Sequence, residues 1–338
     1  MRSLEELEDR LSRPSEALVE DLRELDGNLL ILGAGGKLGP SLVRLALRAL
    51  AGTGTKSRVI AVSRFSQRGL ADRLTSEGAV VLNADIADDE SLAGLPDAPN
   101  VVFLVGAKFG TQGQEHQTWA TNAYLPGRVA QRFASSRIVA LSTGNVYPLT
   151  TVGAGGSTED SPLGPVGEYA MSCLGRERVL THFSVQHHTP LALIRLNYAV
   201  EMRYGVLVDL ARAVHDGADI DLTTGHANVV WQGYANEVTL RALRHAASPP
   251  FVLNVTGPET VSIRHVAERM GELMGKPVRF TGAEADTSLL SNAQRCHGLF
   301  GYPDLPVDTL IRETVAWVRA GLPLLGKPTQ FQRRDGQF

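Results

Sequence analysis

The stretch NLLILGAGGKLG, residues 28–39, runs from an apolar segment into glycines Gly33, Gly36 and Gly39 before a helical pattern begins. This pattern predicts a phosphate-binding turn at the carboxyl end of a buried strand. The strand must end in a tight turn, a pyrophosphate must approach bare backbone, and the next helix must pack closely while aiming its free N–H groups at the anion. Each demand falls on a glycine. Taken alone, such a cluster also suits a plain strand-to-helix turn, so the flanking sequence has to decide.

Apolar runs recur at Leu29–Leu32, Arg58–Val62, Ala79–Leu82, Val101–Val105, Ile138–Leu141 and Leu191–Leu196, separated by helical segments. Six parallel strands are expected. A parallel sheet is covered by helices on both faces, which explains runs that are apolar throughout. The fold class predicted is α/β: a Rossmann-type doubly wound parallel sheet with a smaller C-terminal substrate lobe, and ligands at the carboxyl ends of the strands. Residues 1–26 read as an amphipathic helical segment carrying Leu4, Leu7, Leu11, Leu18, Leu22 and Leu25, broken near Pro14. Residues 27–198 form the dinucleotide-binding domain. Residues 199–325 are mainly the lobe, with short strands near Ile220 and Val252 and some segments returning to the first domain. Residues 326–338 are a polar tail expected to be disordered or loosely docked.

The chain has 338 residues, 43% of them hydrophobic, enough to bury a full core. Its 33 basic and 36 acidic residues leave a formal charge of −3 without a long run of one sign. No nucleic-acid partner is expected. Cys173 and Cys296 lie outside any metal-ligand spacing, so neither a disulfide framework nor a metal site is predicted. No run approaches the ~20 apolar residues of a membrane span, and the acidic start is unlike a secretory signal. A cytoplasmic protein without a membrane partner is the expectation.

Further motifs follow the glycine turn in order: ADIADD at 84–89, LVGAKFG at 104–110, Asn122 in ATNAYLPG, STGNVY at 142–147 and EYAMSC at 168–173. Together they resemble an extended short-chain dehydrogenase/reductase of the NAD-dependent epimerase/dehydratase family, over about residues 28–322. The G-x-x-G-x-x-G spacing fits that branch. The resemblance implies cofactor contacts from Gly33, Gly36, Lys37, Leu38 and Gly39, from Asp85 and Ile86, from Gly106, Ala107 and Lys108, and from Asn122 and Tyr169. The second strand ends in Ser63 and Arg64, where an acidic residue would bind the ribose hydroxyls of NAD. A hydroxyl and a cationic fork suit a 2′-phosphate, so NADP is favoured over NAD. A solvated Arg64 and a helix-capping Asp85 are the competing readings.

By the same resemblance, Thr143 orients a substrate oxygen while Tyr169 exchanges its proton and hydride moves to or from the nicotinamide. The family places a lysine one helical turn after that tyrosine, lowering its pKa. This chain has Cys173 there; Arg176 or Lys108 is left to supply positive charge. Three further departures bear on substrate. Gly144 and Asn145 replace the acidic pair of dehydratases. RLNYAVEMRYG, with Asn197, lacks the usual Gly-Pro. Val230 stands near the position of the diphosphate-clamping arginine. A small substrate such as a free sugar or sugar acid is therefore expected, with Arg203 and Trp231 as contacts unless they are surface and core residues. The alternatives are a catalytically weak NADP-binding regulatory protein and a sugar-nucleotide epimerase. A homodimer through the helices of Asn122 and Tyr169 would use Val129, Phe133, Leu174 and Val179, unless these face the sheet.

Overall fold

Seven parallel strands form the central sheet of the computed structural model, which describes residues 1–110, 113–327 and 329–337. In chain order they are β1 (Leu29–Leu32), β2 (Val59–Ser63), β3 (Val80–Asn83), β4 (Asn100–Phe103), β5 (Arg137–Thr143), β6 (Leu191–Leu196) and β7 (Phe251–Val255). Their spatial order is β3-β2-β1-β4-β5-β6-β7. Strand order reverses between β1 and β4, so a crevice opens there at the carboxyl edge.

Successive side chains of a strand point to opposite faces. In β1, Leu29 and Ile31 enter one core with Val102, Val139 and Ile194. Leu30 and Leu32 enter the other with Val101, Phe103 and Ile138. Two covered faces thus account for the unbroken apolar runs. The exception is β3, where Val80 is 37% exposed. As the edge strand it pairs on one side only and receives thinner cover. The sequence placed Val252 among the short strands of the lobe, but Phe251–Val255 extends the main sheet, pairing in parallel with β6 from Phe251↔Ala192 to Val255↔Leu196. Leu253 and Val255 are fully buried there.

The first two helices, Leu4–Leu11 and Glu16–Arg23, are capped by Ser3 and Ser15, whose hydroxyls accept the amides of Glu6 and Leu18. Leu7, Leu11, Leu18, Leu22 and Leu25 are buried, while Leu4 is 40% exposed. Pro14 separates the helices as expected. In the lobe, helices Val206–Asp216, Ile263–Met274 and Val307–Arg319 contribute Val206, Leu210, Val266 and Trp317 to the same core as β1, so lobe and sheet share one interior.

The C-terminal tail is docked, contrary to the expectation from its polar composition. The Thr329 amide and hydroxyl donate to Asp209 at 2.8 and 2.6 Å, and Phe331 is 6% exposed. Near the end, Gly336 meets Gly167: a Cβ on Gly336 would lie 2.1 Å from the Val166 carbonyl oxygen, and one on Gly167 would lie 2.5 Å from the Gly336 oxygen. One buried aromatic ring and one close backbone approach outweigh the polar composition. Pro328 and Phe338 lie outside the described residues.

Candidate active site

β1 leads directly into the glycine turn. Gly33 adopts φ +91°, a left-handed conformation costly for other residues, and a Cβ there would press within 3.0 Å of Val105. Gly39 opens the helix Gly39–Ala51, and its Cβ would collide with the Ala34 carbonyl oxygen at 2.3 Å. Gly36 lies exposed on the cleft. Pro40 starts the helix, and no side chain caps it among the described residues. Its free amide groups therefore front the cleft beside Gly36, Lys37 and Leu38, an arrangement suited to an anion. Gly35, passed over in the sequence, holds the turn against β2: its Cβ would lie 2.7 Å from Ser63 Oγ. The signal for it was present in the paired glycines at 35 and 36.

Lys37 is a half-buried cation. Its ammonium donates to the Ala199 carbonyl at 3.1 Å and sits 3.4 Å from the centre of the Tyr204 ring. Burial pulls its pKa down to about 7, against the attraction of Glu201.

Across the crevice, β5 ends at Thr143, and the helix Gly167–His187 presents Tyr169 to it. The Tyr169 phenol lies close to both the Thr143 hydroxyl and the Cys173 thiol, which act on its ionisation. Thr143 also donates to Asn145 Oδ1 at 3.0 Å and accepts the Asn145 amide at 3.2 Å. Burial drives the Tyr169 pKa well above the ordinary tyrosine value, with Cys173 adding to the rise and Arg176 opposing it. Burial likewise pushes the Cys173 thiol up, so it is neutral. The phenol is thus held protonated.

Two cations stand nearby. The buried Arg176 guanidinium donates to the Asn122 and Leu141 carbonyls at 3.0 and 2.6 Å and to Asn122 Oδ1 at 2.9 Å, all uncharged acceptors. Lys108 lies 5.6 Å from the centre of the Tyr169 ring, its pKa lowered to about 8 by burial. Asn122 sits in a single π-helical turn, Ala120–Tyr124, a form frequent at functional sites. Its side chain is fully buried and holds the Ala107 amide and carbonyl at 2.8 Å each. Asn122 and Ala107 therefore fix the Gly106–Lys108 loop from behind, while Gly106 and Lys108 line the cleft.

Asn145 and Asn197 line the cleft, whereas the residues singled out for the adenosine, substrate and dimer contacts are placed apart from it. Ser63 ends β2 beside Gly35, and Arg64 is largely exposed with Asp85 at 3.7 Å. Asp85 Oδ1 accepts the Ala87 amide at 3.0 Å, and Ile86 is buried against the sheet. Arg203 is not a substrate contact: it is paired with Glu201 at 3.0 Å and Glu8 at 3.3 Å. Trp231 and Val230 are each 1% exposed core residues. Val129 and Phe133 are buried against the sheet and present no outer surface, while Leu174 is part-buried and packs beside Cys173. Val179 lies against Gly127. Exposed apolar residues nearby include Trp119, Tyr124 and Met171.

Composition did not reveal the ion pair beneath the site. Glu177 accepts Arg195 Nη2 at 2.8 Å and Nε at 3.0 Å and the Ser142 hydroxyl at 2.6 Å, with both side chains about 5% exposed. Arg195 also donates to the Tyr147 hydroxyl at 2.7 Å. The pair ties the Tyr169 helix to β5 and β6. Spacing gave no signal, because its members lie on three separate elements.

The cleft has a volume of about 330 Å3, within the range of small-molecule sites. A strand–glycine-turn–helix cradle facing a neighbouring tyrosine and threonine defines a dinucleotide-binding α/β protein of the short-chain dehydrogenase/reductase type. The profile of the NAD dependent epimerase/dehydratase family matches residues 29–229, and the chain belongs to this family. No curated protein sequence matched. Solved structures with the same fold include the UDP-glucuronic acid 4-epimerase of Bacillus cereus in complex with NAD, at 16% identity over 86% of this chain and 96% of that one, with TM-score 0.72. The dTDP-glucose 4,6-dehydratase of Bacillus anthracis str. Ames, in complex with NAD, matches at 17% identity over 87% and 97%, with TM-score 0.72. The UDP-glucose 4-epimerase of Thermotoga maritima, with UDP-glucose, matches at 16% over 87% and 99%, with TM-score 0.69. Among the described residues no helix is long and apolar enough to cross a membrane, and no cluster of metal-binding side chains is present.

Proposed function

We propose that this protein is a nicotinamide-dinucleotide-dependent oxidoreductase or epimerase acting on a small hydroxyl or carbonyl compound. The observation that carries the reading is that Tyr169 and Thr143 line the same cleft as the uncapped glycine turn. The residues fit a dinucleotide: free amides at the helix start and Lys37 suit its phosphates, and Gly106 and Lys108 suit the nicotinamide ribose. When bound, that group accepts or donates a hydride. Thr143 orients the substrate oxygen, and Tyr169 exchanges a proton with it. A phenol held protonated by burial is ready to donate, so carbonyl reduction is the favoured direction at neutral pH. Alcohol oxidation requires Tyr169 to lose its proton, with Arg176 and Lys108 as the cations that assist.

NADP is the preferred form in this reading, because Arg64 is exposed and held only by a loose pair with Asp85. The relatives crystallised with NAD favour the other form, and competition between NADPH and NADH decides between them. A sugar-nucleotide substrate is the second reading, favoured by the UDP- and dTDP-sugar enzymes sharing the fold. Against it, Val230 is buried where a clamping arginine would stand. Turnover of a panel of free sugars, sugar acids and UDP-sugars with each dinucleotide tests the proposal. The expected result is turnover that Tyr169→Phe reduces by about 100-fold or more, with the dinucleotide still bound. Turnover equal in wild type and Tyr169→Phe contradicts it.

A further inference from the structure

We propose that the C-terminal tail forms the far wall of the substrate site and that Arg334 binds a compact anionic group of the substrate there, a carboxylate or a single phosphate. The inference rests on the oxidoreductase or epimerase reading and adds to it the substrate's charge. Beyond Thr143 and Tyr169 the cleft continues through Asn145 and Tyr198, which line both it and a recess of about 30 Å3 closed by Arg333, Arg334 and Gly336. That volume holds about two water-sized groups, matching a carboxylate and too small for a diphosphate.

Charge in this region is one-sided. The chain carries slightly more acidic than basic residues, 36 against 33. Yet Lys37, Lys108 and Arg176 line the cleft, Arg333 and Arg334 line the recess, and no carboxylate lines either one among the described residues. Lys37 lies beside the glycine turn, while Arg333 and Arg334 line the adjoining recess, where a second anion would be met. Arg333 is exposed and lies 3.6 Å from Asp335. Arg334 is half-buried and donates to the Thr287 carbonyl and, at 2.7 Å, to the Thr287 hydroxyl, with no ion pair among the described residues. A guanidinium has five N–H donors, so several remain for a ligand. Thr287 therefore fixes its direction without neutralising it.

The tail is seated for this role. Gly336 packs backbone to backbone on Gly167, two residues before Tyr169, leaving no room for a Cβ on either side. The wall that carries Arg334 is thus indexed to the helix that carries Tyr169.

Titration calorimetry of the full-length chain with D-glucuronate, D-glucose 1-phosphate and D-glucose, with and without NADPH, tests this inference. The wild type is expected to bind at least one of the two anions more tightly than glucose, with affinity falling as salt rises. Arg334→Gln is expected to weaken that anion about tenfold or more, Arg334→Lys is expected to retain part of the gain, and NADPH affinity is expected to stay constant. Which anion depends on Arg334 identifies the group as carboxylate or phosphate. Anions bound no better than glucose, or equal losses in the Gln and Lys variants as a purely structural anchor would give, overturn the inference. Failure to bind NADPH or NADH overturns the functional reading instead, and the titrations without dinucleotide keep the two failures separate.

Discussion

Cys173 is the residue whose chemistry most distinguishes this site. A neutral thiol beside Tyr169 supplies no positive charge, and burial leaves the phenol protonated above its ordinary value of 10.0. Oxidation of an alcohol should therefore accelerate about tenfold per pH unit, without a plateau below pH 10. Cys173→Lys adds a cation, favours the phenolate and should move the plateau down; stopped-flow pH profiles of wild type and variant check the shift. An unchanged profile would mean that Arg176 and Lys108 already set the Tyr169 charge. Lys37 gives a second test. Its pKa is about 7, so at pH 8 much of the free protein carries it neutral, and an anion beside it favours the charged form. Dinucleotide binding should take up protons at pH 8 and weaken as pH rises through this range. Calorimetry in two buffers of different ionisation enthalpy measures the uptake, which Lys37→Met should abolish. Thr143, Tyr169 and the glycines were legible in the sequence because the chemistry demands those residue types at fixed positions. Gly35 and Arg334 were not, because their surroundings depend on which loop lies opposite.

The elements follow the same division. Strands β1, β2, β4, β5 and β6 announced themselves as apolar runs, since helices cover both their faces. β7 was harder to place because its polar Asn254 interrupts the run. That side chain is buried, with Tyr147 donating to it at 2.8 Å and its own amide donating to the Ser157 carbonyl at 2.9 Å. The Tyr169 helix has almost no amphipathic pattern to read, because it buries Arg176 and Glu177 beside apolar residues. Its position depends on the Glu177–Arg195 pair, and removing one partner leaves a buried charge uncompensated. Glu177→Gln should cost about 3–5 kcal/mol in urea unfolding, and Glu177→Leu combined with Arg195→Met should cost less than the sum of the single changes. At the other end of the site, Gly336→Ala places a Cβ against the Val166 carbonyl. The tail should then detach, and trypsin should cleave after Arg333 or Arg334 faster than in the wild type while the remaining chain stays intact. Equal cleavage rates would show that the Gly167–Gly336 contact does not hold the tail.

For the whole molecule, one sheet aligns three separate regions on a single crevice: the turn after β1, the threonine at the end of β5 and the tail returning from the far terminus. Family membership and strand order account for the first two. The third lies beyond residues 29–229 matched by the family, and its Thr329 lines the same crevice. Everything about function depends on that crevice accepting a nicotinamide dinucleotide. The most direct test is fluorescence titration of the full-length chain with NADPH and with NADH, alongside Gly36→Val, which sets a branched side chain on the exposed face of the cradle. Saturable binding of at least one dinucleotide by the wild type, lost in the variant, is the predicted result. No binding of either dinucleotide by the folded wild type, or equal binding by Gly36→Val, contradicts the account.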